Sequence, residues 1–288
     1  MQKNRSVIIW GDGAVGKGLA VALSSQFNVL IAGPQGSGRG TITLTSSGAF
    51  SGTGTIEKVE SSDHIHCDYC VVALKAYDLA YAAKPAMDSS DDRCICFTNG
   101  MGLEEEWGES WRERVEPAVL TAGFHLLDRY SVETTEGDVI VSSEGRAEHL
   151  FRESSLHVVP TFDMEIVRWA KWLTNSVINP LGALSGLRNN QLLEAGLGTI
   201  KDTLFKELAG LIPPALKDAA VEKAREITNF LLEFSPNRCS MLQDILSGRR
   251  TEIDFLTGLY ESKLREQFPI AALVTDLVNS RACKPSGQ

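Results

Sequence analysis

Along the first half of the chain, short apolar runs alternate with polar or helix-patterned stretches. Val7–Trp10, Asn28–Ala32, Thr41–Leu44, Cys70–Leu74 and Cys94–Phe97 are rich in Val, Ile, Leu, Thr and Cys and are bounded by Gly, Asp or Ser. Such runs suit strands buried on both faces of a parallel sheet. Between the first two, Val15–Ser25 carries Leu19, Ala22 and Leu23 on one side and predicts a helix. This strand–helix–strand opening predicts a doubly wound α/β sheet. Residues 115–144 turn strand-like again and predict hairpins that close the sheet, while the Gly/Ser/Thr-rich run 33–55 reads as loop-heavy. After Pro160 the pattern changes to helix after helix, Val167 to Arg281. Breaks are expected at Asn179-Pro180, Pro213-Pro214, Ser235-Pro236 and Pro269. A β-rich half followed by a helical half predicts two domains, 1–162 and 163–288.

Composition narrows the function. The 288 residues are 43% hydrophobic and 23% charged, and carry a net charge of −9. With no dense basic run, a nucleic-acid partner is not expected. No apolar stretch reaches about 18 residues and no signal-like run precedes the first strand, so a cytosolic protein away from membranes is expected. Six cysteines (67, 70, 94, 96, 239 and 283) do not form a secreted disulfide pattern. His64, His66, Cys67 and Cys70 in HIHCDYC invite a metal reading, but there is no second CxxC, and Cys70 begins a strand. No metal is expected.

Directly after the first strand comes GDGAVG, with Gly11, Gly13 and Gly16 in G-x-G-x-x-G spacing. The first glycine permits a tight turn, the second lets backbone approach a pyrophosphate, and the third lets helix and strand pack closely. The helix that follows offers its unsatisfied N–H groups and positive end to phosphates. In the context of strand, turn and helix the pattern predicts a dinucleotide site in a Rossmann-type domain. An NAD site usually adds an Asp or Glu at the end of the second strand. Here NVLIA runs into Gly33-Pro34-Gln35 with no acid, which leans to NADP, with Arg39 or Lys75 available for a 2′-phosphate. Lys75 and Asn99 follow strands CVVAL and CICF, at the strand ends where such sheets bind ligands.

The helical half holds a second unusual feature, WAKWLTNSVINP at 169–180. Lys171, Asn175 and Asn179 are spaced by four, so they drift only about 40° per step and form one narrow stripe about 12 Å long. Apolar residues cover much of the remaining circumference. A solvent face would be broader and richer in Glu, Arg and Lys, and Asn is a poor helix former. The stripe therefore predicts a packed helix whose polar edge lines a cleft. Further on, Ser240 and Thr251 each precede a helical pattern, with Gln243 and Asp254 three residues later, the spacing of capping boxes. Glu252 then falls in a first helical turn, where a carboxylate is favoured anyway.

Taken in order, GDGAVG, ALKA, TNGMG, KWLTNSVINPLGAL and SMLQDILSGRRTEID resemble the ketopantoate reductase (2-dehydropantoate 2-reductase) family over almost the whole chain. The resemblance implies a Rossmann domain followed by a helical domain, and NADPH-dependent reduction of ketopantoate to pantoate on the route to pantothenate and coenzyme A. It implies Lys171 as general acid and Glu252 as the acidic residue that supports it beside the cofactor. Asn175, Asn179, Ser240 and Asn99 would hold substrate. Gly11, Asp12, Gly13, Ala14, Val15 and Gly16, with Lys75 and Asn99, would hold the cofactor. The chain departs from the family in having Gly33 where an arginine follows the second strand. Two other readings stay open, a reductase of another small 2-keto acid or imine and a non-catalytic dinucleotide sensor. The oligomeric state is also open, with a homodimer among the options.

Overall fold

Ser6–Trp10 (β1) lies at the centre of a nine-stranded sheet, its last four residues buried, and this double-sided burial explains its unbroken apolar run. The computed structural model describes residues 5–282, so Cys283 lies outside the described residues. The chain divides into two compact units, one of residues 1–98 and 103–164, the other of 99–102 and 165–288.

In the first unit β1 is followed by helix α1 (Ala14–Leu23) and β2 (Asn28–Gly33). Next come β3 (Gly40–Gly48), β4 (Gly52–Glu60), β5 (Tyr69–Val72), helix α2 (Leu79–Asp88) and β6 (Cys94–Cys96). Short helices α3 (Leu103–Trp107) and α4 (Trp111–Arg114) lead to β7 (Val115–Pro117), β8 (Val119–Leu120), β9 (Phe124–Leu126), β10 (Ser131–Thr134) and β11 (Asp138–Ser142). Helix α5 (Arg146–Phe151) and β12 (His157–Thr161) complete the unit.

The large sheet has the order β7-β6-β5-β1-β2-β4-β3-β10-β9. β1 runs parallel to β2 on one side and β5 on the other, with Trp10 opposite both Ala32 and Val72. Strand order therefore reverses at β1, and the carboxyl ends of β1, β2 and β5 share one edge, where doubly wound sheets bind ligands. Leu19, Leu23, Ile31, Val71 and Ile95 build the core under this edge, each at 0% exposure. Burying a side chain of this size contributes roughly 1.5–3 kcal/mol.

Two expectations need correction here. Within the run 33–55 the expected strand at Thr41–Leu44 is present as β3, but the loop expected around it is not: β3 and β4 pair antiparallel from Gly40↔Lys58 to Ser46↔Gly52. Its Thr-Ile-Thr-Leu-Thr alternation, with Leu44 buried and threonines outward, outweighs a composition typical of loops. The segment 115–144 only partly closes the main sheet. β7 joins one end and the antiparallel pair β9–β10 the other, while β8 and β11 form a separate three-stranded sheet with β12.

The second unit is helical: α6 (Met164–Ser185), whose first residue closes the first unit, then α7 (Gly198–Ala209), α8 (Lys217–Phe234), α9 (Ser240–Leu246), α10 (Glu261–Gln267) and α11 (Pro269–Ala282). α6 runs through its core, with Trp172, Leu173, Val177 and Ile178 packed among Leu208, Leu242, Leu256 and Val274. The break expected at Asn179-Pro180 does not occur, because α6 continues through Pro180 to Ser185. Proline forfeits one backbone bond, but buried neighbours on both sides of it, from Val177 to Ala183, hold the helix together. The other expected breaks, at Pro213-Pro214, Ser235-Pro236 and Pro269, do fall between helices, and Pro269 opens α11, where its missing N–H would be unbonded in any case. Among the described residues no helix is long and apolar enough to cross a membrane.

Candidate active site

The three fingerprint glycines are needed for different reasons. Gly11 has φ +119°, and a β-carbon there would stand 2.5 Å from the carbonyl oxygen of Ala73, just past the end of β5. A β-carbon on Gly16 would come within 1.8 Å of the Gly11 carbonyl oxygen, so turn and helix touch backbone to backbone. Gly13 has no atom within 4 Å of that position. It is the N-cap of α1, with no side-chain cap and no acid in the first turn. Two glycines thus close the turn and the third leaves its outer side open above a ten-residue helix whose N-terminal end favours anions. Ala14 and Val15 present their backbone in that first turn, and both are half-buried. These residues fit a pyrophosphate.

At the end of β2 the side chains come from elsewhere in the chain. Lys58 of β4, opposite Ile31, reaches Asp12 with Nζ 3.2 Å from Oδ2. Lys17, on α1, is buried, and burial is the main cause of its lowered pKa, opposed first by Asp12 and reinforced by Lys58 and Arg129. Arg39 does not point its fork at this corner unengaged: Nε and Nη2 both bond Asp63 at 2.7–3.1 Å, and Nη2 lies 3.1 Å from Glu60. Lys75, half-buried, follows β5 in extended backbone and opens the 3₁₀ turn Ala76–Asp78.

In the second unit, Trp169–Pro180 reproduces the stripe residue by residue. Lys171, Asn175 and Asn179 are half-buried, and the other nine residues of the twelve are buried. Desolvation lowers the pKa of Lys171 from 10.5 to about 8, while the charge of Glu252 works the other way. Glu252 is 6% exposed. It is the N-cap of the 3₁₀ turn Ile253–Phe255 and precedes the helical turn instead of lying in it. Trp172 Nε1 donates to the Leu256 carbonyl at 2.8 Å, which fastens this turn to α6.

Two glycines bring Asn99 to the same turn. A β-carbon on Gly100 (φ +100°) would be 2.7 Å from the Phe255 carbonyl oxygen, which the Met101 N–H reaches at 3.2 Å. Gly102 (φ +72°) packs equally closely on Leu259. Asn99 therefore begins a segment laid along the backbone that follows Glu252. Ser240 is brought to the other end of the stripe. Cys239 Sγ donates to the Asn179 carbonyl at 3.4 Å, and Gly182 leaves room for it, since a β-carbon there would lie 2.9 Å from Sγ.

The capping expectations are corrected. The cap of α9 is Cys239, whose sulfur accepts from the Leu242 N–H at 3.4 Å, so Ser240 is the first helical residue and its exposed side chain is not engaged as the cap. Thr251 caps nothing; it is buried, and the following turn is a short 3₁₀ one. Among the described residues no cluster of His, Cys, Asp or Glu could hold a metal ion. Sequence reasoning missed Lys58, Lys17 and Cys239. The first of these meets Asp12 from 46 positions away, and no local pattern reports such a contact. A groove of about 510 Å³ lined by Lys201, Phe205, Lys217 and Arg225 contains none of the residues singled out by sequence.

Comparison with known proteins follows the same division. The description "Ketopantoate reductase PanE/ApbA" matches residues 7–146, and its C-terminal counterpart matches 163–262. A 2-dehydropantoate 2-reductase of Archaeoglobus fulgidus is 29% identical over 217 residues, 72% of either chain. The solved complex of D-mandelate dehydrogenase with NADH and anilino(oxo)acetate superposes with a TM-score of 0.77 at 19% identity, covering 96% of this chain and 98% of that one. A dimeric ketopantoate reductase from Staphylococcus aureus gives 0.77 at 17% identity, with coverage of 96% and 98%. At such identities the solved structures speak for the fold, a Rossmann-type sheet followed by helices. Both halves of the family description match in order, and the chain belongs to the ketopantoate reductase family.

Proposed function

We propose that the protein reduces 2-dehydropantoate to pantoate, with a reduced nicotinamide dinucleotide as hydride donor, in cytoplasmic pantothenate and coenzyme A biosynthesis. The observation that carries this reading is the ammonium of Lys171, desolvated to a pKa of about 8 with Glu252 as its opposing charge, at one end of a row of two asparagines. When bound at the glycine turn, the dihydronicotinamide supplies hydride to the keto carbon.

Everything else falls to the chain. Lys171 Nζ hydrogen-bonds the keto oxygen, stabilises the negative charge that grows there, and gives up its proton as the alcohol forms. A pKa of about 8 leaves the group charged at neutral pH, yet makes it a readier donor than a lysine at 10.5. Solvent then returns the proton. Glu252 favours the charged form against desolvation, and under this proposal Lys75, Asn99 and Glu252 take part in cofactor binding as well. Asn175, Asn179, Ser240 and Asn99 hold the substrate hydroxyl and carboxylate, which fixes the carbonyl in position. Association into a homodimer, as in the S. aureus relative, belongs to the same proposal, and light scattering checks it.

A second reading, reduction of a different small 2-keto acid, is favoured by the likeness to D-mandelate dehydrogenase. One assay separates the readings: oxidation of NADH and NADPH with 2-dehydropantoate, a set of other 2-keto acids and an imine. Turnover of 2-dehydropantoate above the rest is expected. Preference for another acid would replace the substrate, and binding without any turnover would leave a dinucleotide sensor.

A further inference from the structure

In a doubly wound sheet the residue closing β2 stands where the adenosine ribose arrives. A carboxylate there accepts a bond from the 2′-hydroxyl and disfavours a 2′-phosphate. This chain has Gly33 at that position, and Pro34, Gln35, Gly36 and Ser37 follow without an acid. The absence pointed to NADPH. In space, however, the position is already filled. A β-carbon on Gly33 would lie 2.4 Å from Ser37 Oγ and 3.1 Å from Asp12 Oδ2. The carboxylate thus arrives from the glycine turn instead of from β2, and a larger residue at 33 would displace it.

Lys58 fixes that carboxylate, Nζ to Oδ2 at 3.2 Å, and the exposures of the pair differ: 31% for the Asp12 side chain and 14% for Lys58. An arriving ribose meets the acid first and the ammonium behind it. Lys17 and Arg129 add positive charge to this corner and Asp128 opposes them. The charge sum alone would therefore not exclude a phosphate; the groups beside the Gly33 position decide, and of Ser37 Oγ and Asp12 Oδ2 only the second carries a charge.

Resting on the dinucleotide reading above, we propose that Asp12 determines cofactor specificity by taking the adenosine 2′-hydroxyl, so that NADH is used in preference to NADPH, and that Lys58 positions Asp12 and does not read a phosphate.

The test is binding without keto acid, by calorimetry on the whole chain, with NADH and NADPH in parallel. The wild-type protein should bind NADH at least about tenfold more tightly, and Asp12→Asn should shift the ratio toward NADPH by about tenfold or more, largely by tightening NADPH as Lys58 is released. Lys58→Met should keep NADH affinity within about threefold and weaken NADPH further. Wild-type protein that binds NADPH as tightly as NADH overturns the inference, as does an Asp12→Asn variant that weakens both equally. A folded wild-type protein that binds neither overturns the dinucleotide reading and the inference with it. Selective NADH binding without turnover of any keto acid supports the inference and removes only the proposed substrate.

Discussion

At the glycine turn the proposed function puts the chemistry in backbone within six consecutive residues, Gly11 to Gly16. At the lysine stripe it lies, under the same proposal, in side chains gathered from distant positions, Asn99, Lys171, Asn175, Asn179, Ser240 and Glu252. The first region needs side chains to be absent, since Gly11 and Gly16 have no space for a β-carbon. The second needs a charge to be present where water is scarce. A backbone site should fail by losing its shape, and a side-chain site by losing its rate while keeping its shape. Substitutions can separate the two.

The largest effect is expected at Lys171. Lys171→Ala should fold and bind dinucleotide normally but lose about 10²–10⁴-fold in kcat, as steady-state kinetics beside a melting curve would register. In the wild-type protein, reduction should be level in acid and neutral solution and fall about tenfold per pH unit above about pH 8. The amine that forms there has no proton to give, given the lowering from 10.5 to about 8. A pH–rate profile of kcat/KM without that limb removes the lysine from the chemistry. Gly16→Val should act on the opposite quantity. Its β-carbon would start 1.8 Å from a backbone oxygen, and urea unfolding should show a loss of about 3 kcal/mol or more.

Gly13→Ala sharpens the contrast within the turn itself. Its β-carbon enters open space, so stability should stay within about 0.5 kcal/mol, while dinucleotide affinity falls about tenfold as the methyl group meets the pyrophosphate. Equal affinity would mean that the dinucleotide does not approach there. The smallest effect is expected at Gly182→Ala, which pushes Cys239 Sγ from 2.9 Å. Stability should drop by about 1 kcal/mol and the keto-acid KM rise a few-fold with kcat kept, because Ser240 moves while Lys171 does not.

The same contrast explains what could be read from sequence. Local patterns were legible. The central strands, α1 and the stripe on α6 follow from burial periodicity, and the glycine turn follows from its motif. What depends on packing was not. Pro180 reads as a helix end because its neighbours along the chain are visible and those across the core are not. Thr41–Leu44 reads as a strand, but its partner Gly52–Glu60 does not, because the Gly, Ser and Thr around it look like loop and the hairpin pairing is not a local pattern. Ser240 and Thr251 stand at capping-box spacing, yet Cys239, buried against Asn179 and Gly182, caps α9 with its sulfur. Asp12 was legible as a member of the fingerprint, but its closeness to Gly33 and Lys58 exists only once β2 and β4 are aligned.

One detail of chain routing bears on how the protein can be divided. Residues 99–102 belong with the helical unit although the sequence on both sides of them belongs with the sheet. No single cut therefore yields two whole halves. A fragment begun at Glu165 would lack the strip that satisfies the Phe255 carbonyl and fills the place of Met101. It should fold properly only when that peptide is restored to it, and circular dichroism with and without the added peptide would detect the difference.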